Sequence, residues 1–217
     1  VWETRAGYRR INEFASGGVG PHDIKRIAGT EVLVVANGGI DTHPETGRTK
    51  LNIPTMAPNL SYIDNGEVIE IAEPPRAMHK NSIRHLALAP NGAVAFGMQW
   101  QGDGAAPNLV GLHRRGAPLE FMQASPAQTR AMQGYVGSIA VSGDGVQIAV
   151  TSPRGGIVQS YDINTAQLNA TQTLDDVCGV AQTQNGFAIT TGTGLLQNET
   201  TQRRAAQLKW DNHLINV

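Results

Sequence analysis

Apolar and polar positions along this chain repeat one phrase four times: an apolar run, a short polar turn that usually holds Gly, and a second apolar run. The copies are Asp23-Ile24-Lys25-Arg26-Ile27 with Glu31-Val32-Leu33-Val34-Val35, and His85-Leu86-Ala87-Leu88 with Ala93-Val94-Ala95-Phe96. Then come Ser138-Ile139-Ala140-Val141 with Val146-Gln147-Ile148-Ala149-Val150, and Gly179-Val180-Ala181 with Phe187-Ala188-Ile189-Thr190. Marked by the turn residues Thr30, Gly92, Gly145 and Gly186, the copies lie 62, 53 and 41 residues apart. A period in this range, filled with strands rather than helices, is the pattern of four-stranded propeller blades. The predicted class is therefore all-β, a β-propeller. Residues 1–217 are expected to form a single propeller domain of about four C-terminal blades, from a ring that is seven-bladed when complete.

Each copy predicts four strands. The first places them at 22–27, 31–36, 60–64 and 67–71, with Asn65-Gly66 as the last hairpin because both central positions of that turn favour positive φ. The second gives 83–88, 93–99, 109–114 and 118–122, and the third 137–141, 146–151, 157–162 and 166–173. The fourth gives 178–181, 186–191, 194–197 and 206–210. Residues 7–14 alternate as a half-exposed outer strand that closes an earlier blade. Ser125-Pro126 starts a brief helix reaching about Gln133, with Ser as N-cap and Pro in the first turn. Val1-Trp2-Glu3 reads as mid-strand, so the sequence is expected to continue upstream. Two excursions, 37–59 and 101–108, account for most of the extra length of the first two copies.

Composition narrows the function classes. A net charge of −1 exerts no long-range attraction on nucleic acid, and the Arg pairs at 9–10, 114–115 and 203–204 lack interleaved aromatics. No stretch approaches the roughly 20 apolar residues that cross a bilayer as a helix. The single cysteine, Cys178, excludes an intrachain disulfide framework and reads as a small buried filler.

In a propeller the first strand of each blade lines the channel, and the loops around it form the rim where ligands bind. Polar residues at those positions are His22, Asp23, Arg84, His85, Ser138, Asp176 and Cys178, joined after the second strands by Asn37, His43, Arg48, Gln99 and Arg154, and at the end of the chain by Asp211, Asn212 and His213. Imidazoles and guanidiniums converging at one end make an anion site or, through His and Asp, a metal site, with His22 and His85 as the candidate ligands. Each has a structural alternative: His85 as a hydrogen-bonded packing histidine, His22 as a loop terminator, Asp23 as a turn cap, and Arg84 and Arg154 as stitches between blades. His79, His113 and Lys80 read as peripheral. A dinucleotide loop, a phosphate loop, a His-Glu-x-x-His helix and a nucleophile elbow are all lacking.

Several phrases carry a family resemblance: Gly18-Val19-Gly20-Pro21-His22, Val35-Ala36-Asn37-Gly38-Gly39-Ile40, Ser82-Ile83-Arg84-His85-Leu86, Tyr135-Val136-Gly137-Ser138-Ile139, Thr151-Ser152-Pro153-Arg154-Gly155-Gly156 and Trp210-Asp211-Asn212-His213. The chain resembles a bacterial family of exported proteins of unknown function, often with a twin-arginine signal, expected to be seven-bladed propellers of the quinoprotein-dehydrogenase-like, YVTN-repeat-like type. The resemblance implies a periplasmic location and genomic company with imelysin-like iron-regulated proteins and a dihaem-type oxidoreductase. It also places His22, Asn37, His43, Arg84, His85, Gln99, Arg154, Asp211, Asn212 and His213 among the family's motif positions. The expected function is a binding or scaffold protein linked to iron acquisition, with periplasmic iron-uptake proteins or a small ligand as partners and a metal ion as the possible cofactor. The alternative is a metal- or quinone-dependent propeller enzyme, a lactonase-like hydrolase or an oxidoreductase. Any site is expected to lie under the two excursions.

Overall fold

The computed structural model describes residues 1–215 apart from 48, 185 and 206. Four antiparallel sheets of four strands follow one another along the chain. The first holds β3 (Pro21–Arg26), β4 (Leu33–Asn37), β5 (Asn59–Asp64) and β6 (Glu67–Ala72), after a short hairpin of β1 (Trp2–Glu3) and β2 (Arg9–Arg10). The second holds β7 (Asn81–Leu88), β8 (Val94–Trp100), β9 (Val110–His113) and β10 (Glu120–Phe121). A short helix, α1 (Pro126–Ala131), leads to β11 (Ser138–Val141), β12 (Gln147–Ser152), β13 (Ile157–Asp162) and β14 (Leu168–Thr173). The fourth sheet is β15 (Val177–Gln182), β16 (Phe187–Thr191), β17 (Leu195–Gln197) and β18 (Gln202–Arg204). Within every sheet the strands pair in chain order, as the repeated phrase requires, and the array does not close into a ring among the described residues.

Burial follows position in the sheet. Middle strands β4, β5, β8, β9 and β12 are buried almost throughout, because β8, β9 and β12 lie between neighbouring sheets and β4 and β5 lie between the second sheet and the segment 14–18. Strands sandwiched in this way read as continuous apolar runs. The outer strands β6 and β14 are largely exposed. Between the first and second sheets lie Val34, Leu60, Tyr62, Ile83, Phe96 and Met98, and between the second and third lie Leu112, Met122, Met132, Val136, Ile148 and Val150. The inner strand β3 has an open face, leaving Ile24 53% exposed, whereas β11 is buried at every residue.

Local chemistry sets the turns. Asn65 and Gly66 adopt φ of 50° and 88°, the left-handed pair the hairpin needs. Ser125 caps α1 by accepting from the Gln128 amide, and the Gln128 side chain returns the bond, a complete capping box.

Two expected strands are displaced. Residues 7–14 do not form one strand, since Gly7 and Tyr8 both take positive φ and fold the segment into the β1–β2 hairpin. The fourth outer strand lies at Gln202–Arg204 rather than 206–210. Asn198 is the reason: its side chain accepts from the Thr200 and Thr201 amides, tightening the turn so that pairing with β17 resumes at once.

The freed end of the chain crosses the inner strands. A Cβ on Gly179 would come within 2.9 Å of Leu214 Cβ, and one on Gly137 within 3.4 Å of Asn212 Oδ1. Leu214 and Ile215 line a cavity of about 370 Å³ shared with Lys25, Leu86, Ile139 and Val180, one residue from each inner strand.

Candidate functional site

The start of each inner strand lies beside the end of the second strand, so both contribute to one rim. Pro21 pairs with Asn37, Ser82 with Gln99, Ser138 with Thr151 and Val177 with Thr191. At this rim three of the four inner strands are irregular. Pro21 pairs with Asn37 but Asp23 with Ala36, so His22 is the extra residue; Ile83 pairs with Met98 but His85 with Gly97, so Arg84 is the extra residue. The third irregularity falls between Val177 and Val180. A bulge bends its strand and re-aims a side chain, and here the residues it re-aims are an imidazole and a guanidinium.

These bulges and the terminal segment assemble one cluster. The His22 and His85 rings meet edge to face with centroids 4.9 Å apart, and the His213 and His85 centroids lie 5.8 Å apart with the rings inclined at 65°. His22 Nδ1 is 2.9 Å from the Arg84 carbonyl oxygen. A carbonyl only accepts, so Nδ1 carries the proton and Nε2 keeps its lone pair in the neutral ring. Asp23 ties the two strands together through Oδ2, which accepts from the Leu86 amide at 2.9 Å.

Electrostatically the cluster sets two imidazoles whose protonation is disfavoured, His22 and His85, beside an arginine with no ion-pair partner among the described residues. Burial, then the neighbouring His22, His213, Arg84 and Lys25, push His85 down to about 3. His22 is lowered by burial and by Arg84, against its bond to the Arg84 carbonyl and the nearby Asp23. Burial also lowers Arg84, with Tyr135 opposing, and the Arg84 Nε is buried without a hydrogen-bond partner among the described residues. No group of three or more His, Cys, Asp and Glu side chains among the described residues is arranged to hold a metal ion.

The remaining rim candidates fall elsewhere. Asn37 is fully buried, its Nδ2 reaching the Ser16 carbonyl, Asn59 Oδ1 and Ser61 Oγ at 2.9 to 3.0 Å, so it anchors residues 16–18 to the first sheet. His43 is exposed and caps the turn Pro44–Thr46, its Nδ1 accepting from the Glu45 amide. Gln99 donates to the Val136 carbonyl at 3.1 Å, strapping the second sheet to the approach to β11. Arg154 stacks on Tyr135, 4.5 Å from the ring centroid. Arg48 lies outside the described residues. Asp211 and Asn212 position the terminal segment, the Asp211 carbonyl standing 3.2 Å from where a Gly179 Cβ would be. His113 is peripheral to this cluster but wholly buried, between Tyr62 and Ala117. Cys178 is a buried thiol on the Asp176 carbonyl, pushed up by burial and by the Asp176 charge.

The sequence does not single out Tyr135, which neighbours both Arg84 and Arg154, or Trp100, whose indole N–H is buried without a partner among the described residues. Both have marked positions in the sequence: Tyr135 two residues before the glycine that precedes β11, and Trp100 at the last position of β8 before the second excursion. The excursions touch, Lys50 Nζ donating to Gln101 Oε1 at 2.5 Å.

No curated protein matches the chain. Among solved structures it is similar to the WD40 β-propeller domain of Doa1, with a TM-score of 0.53 at 15% identity over 79% of this chain. The chain spans about half of that structure, 47%. At this identity the likeness concerns fold alone, and it agrees with the four blade-like sheets. Over residues 1–217 the chain matches the family described as Protein of unknown function (DUF1513), and it belongs to that family.

Proposed function

We propose that the chain is a binding propeller whose channel mouth holds a small anion between Arg84 and the imidazoles of His22, His85 and His213. The observation that carries this reading is the Arg84 guanidinium: it is partly buried, has no carboxylate partner among the described residues, and keeps an unpaired Nε. Leaving a buried charged donor unpaired costs several times what an ordinary hydrogen bond contributes, so such a group is kept for a partner that arrives from outside. A neutral His85 suits the same task, since its ring supplies an N–H donor without adding charge that would repel Arg84, while the His22 N–H is already given to the Arg84 carbonyl.

A second reading follows from His85, whose ring nitrogens have no hydrogen-bond partner among the described residues and whose neutral form is favoured far below pH 7. Neutral imidazoles are metal ligands. An anionic metal chelate satisfies both features at once, with carboxylates on Arg84 and the metal against His22 and His85. This links the site to iron acquisition, to export and to a seven-bladed ring, all three supported by the motif resemblance.

Calorimetric titration of the protein with citrate, ferric citrate and zinc chloride separates the readings. Citrate binding weakened about tenfold in Arg84→Gln supports the anion site. Zinc binding lost in His22→Ala and His85→Ala, with citrate inert, supports the metal reading instead. Silence from all three probes defeats both.

A further inference from the structure

A crevice of about 490 Å³ lies between the second excursion and α1, and its Arg154 packs on Tyr135, which also neighbours Arg84. This is the size of a small-molecule site. Its walls include Trp100, Arg130, Gln133 and Arg154, with Gly102 and Ala106 from the excursion.

Three observations give the crevice a chemical preference. Arg130 and Arg154 have no ion-pair partner among the described residues, unlike Arg9, Arg10, Arg26, Arg114 and Arg115, and of the unpaired surface arginines they are the two that line this crevice. The Arg154 guanidinium carbon lies 4.5 Å from the Tyr135 ring centroid, and its N–H groups have no hydrogen-bond partner among the described residues, so they are free for an acceptor. Trp100 forms a flat apolar wall whose exposure depends on glycine: a Cβ on Gly102 would overlap the indole ring. The one acidic residue of the excursion, Asp103, is exposed and is not among the crevice walls.

We infer that this crevice is a second ligand site, selective for a small aromatic carboxylate, with the ring against Trp100 and the carboxylate between Arg130 and Arg154. Two guanidiniums alone would fit any anion; the indole wall adds the demand for a flat apolar body. The site stands apart from the proposed anion site, since none of its walls belongs to the histidine cluster.

The test is titration of the whole chain with 1-naphthoate, followed by calorimetry and by tryptophan fluorescence. Inorganic phosphate and the neutral 1-naphthamide serve as controls. Saturable naphthoate binding is expected, weakened about tenfold when the carboxylate is replaced by the carboxamide and similarly in the Arg130→Gln/Arg154→Gln double variant. Both arginines are exposed, so the double variant should fold; the carboxamide comparison, made on the unaltered protein, is independent of that. Arg84→Gln should leave naphthoate affinity unchanged, whatever becomes of citrate at the channel mouth. The inference is overturned by absence of saturable naphthoate binding at millimolar concentration, by phosphate or naphthamide binding as tightly, by a double variant that binds normally, or by a loss that follows Arg84 instead.

Discussion

His113 and His85 are both buried, 1% and 8% exposed, and both pack against another ring, yet their ring nitrogens are in opposite conditions. His113 Nε2 donates to the Ala117 carbonyl at 2.9 Å, and its Nδ1 takes the Tyr62 hydroxyl at 2.7 Å. Burial and the Glu70 charge raise Tyr62, which keeps that hydroxyl a donor. Every polar atom of the pair is satisfied within the protein, the condition of a packing histidine. His85 makes no such bonds among the described residues and instead meets two other imidazoles, on His22 and His213. Burial alone does not separate structural from binding histidines. What separates them is whether the protein has already used their nitrogens.

The largest expected effect falls on the satisfied side. His113→Ala strands the Tyr62 hydroxyl and the Ala117 carbonyl and opens a cavity between the first two sheets, a loss of roughly 3 kcal/mol by urea denaturation. His85→Ala removes a buried ring that makes no hydrogen bonds among the described residues, so it should cost less, about 1–2 kcal/mol. Equal costs would break the distinction between the two residues.

Acid sharpens it next. His85 is held at about 3, against 6.5 in a free side chain. Between those values the unfolded chain binds a proton that the folded chain refuses. Stability contributed here is therefore present at neutral pH and lost as pH falls below about 6.5, at no more than about 1.4 kcal/mol per pH unit, until both states are protonated near 3. Asp144 and Asp162, both lowered by hydrogen bonds in their turns, also lose stability in acid. The difference between wild type and His85→Gln isolates the imidazole. A difference that does not change between pH 6.5 and 4 would show that His85 is not held neutral by the fold.

The blade pattern was legible because sheet packing writes directly into sequence: strands covered on both faces, such as Val94–Trp100 and Gln147–Ser152, carry long apolar runs between Gly-bearing turns. His22, Arg84, His85 and His213 could be picked as rim residues from their place at strand starts and at the chain end. Their assembly could not be read, because it depends on which residue of each strand is left unpaired. A bulge at His22 or Arg84 leaves the local alternation of side chains nearly intact and is decided by contacts with the next sheet, such as Asp23 to Leu86. The same holds for Asn37 and Gln99, which share the rim by register but are turned to Asn59 and Val136 by partners distant in sequence. Residues 206–210 misled for a local reason: Gln207-Leu208-Lys209-Trp210 alternates like a strand, but the Asn198 turn had already placed the strand upstream.

The smallest effect tests whether the terminal segment is part of the cluster or merely lies near it. His213 is among the causes that lower His85, behind burial and His22, so His213→Ala should raise the His85 pKa by less than the whole displacement. Titration of the His85 ring resonances by NMR measures this directly. Gly179→Ala should act in the same direction without touching an ionisable group: its Cβ would press on Leu214 at 2.9 Å and on Thr190 Oγ1 at 2.8 Å, displacing the segment that carries His213. A rise in both variants joins the segment to the site. A rise in His213→Ala alone shows that the Gly179 contact does not hold the segment in place. No change in either would leave His85 governed by its burial and by His22, and the cluster would then be built by the two bulges alone.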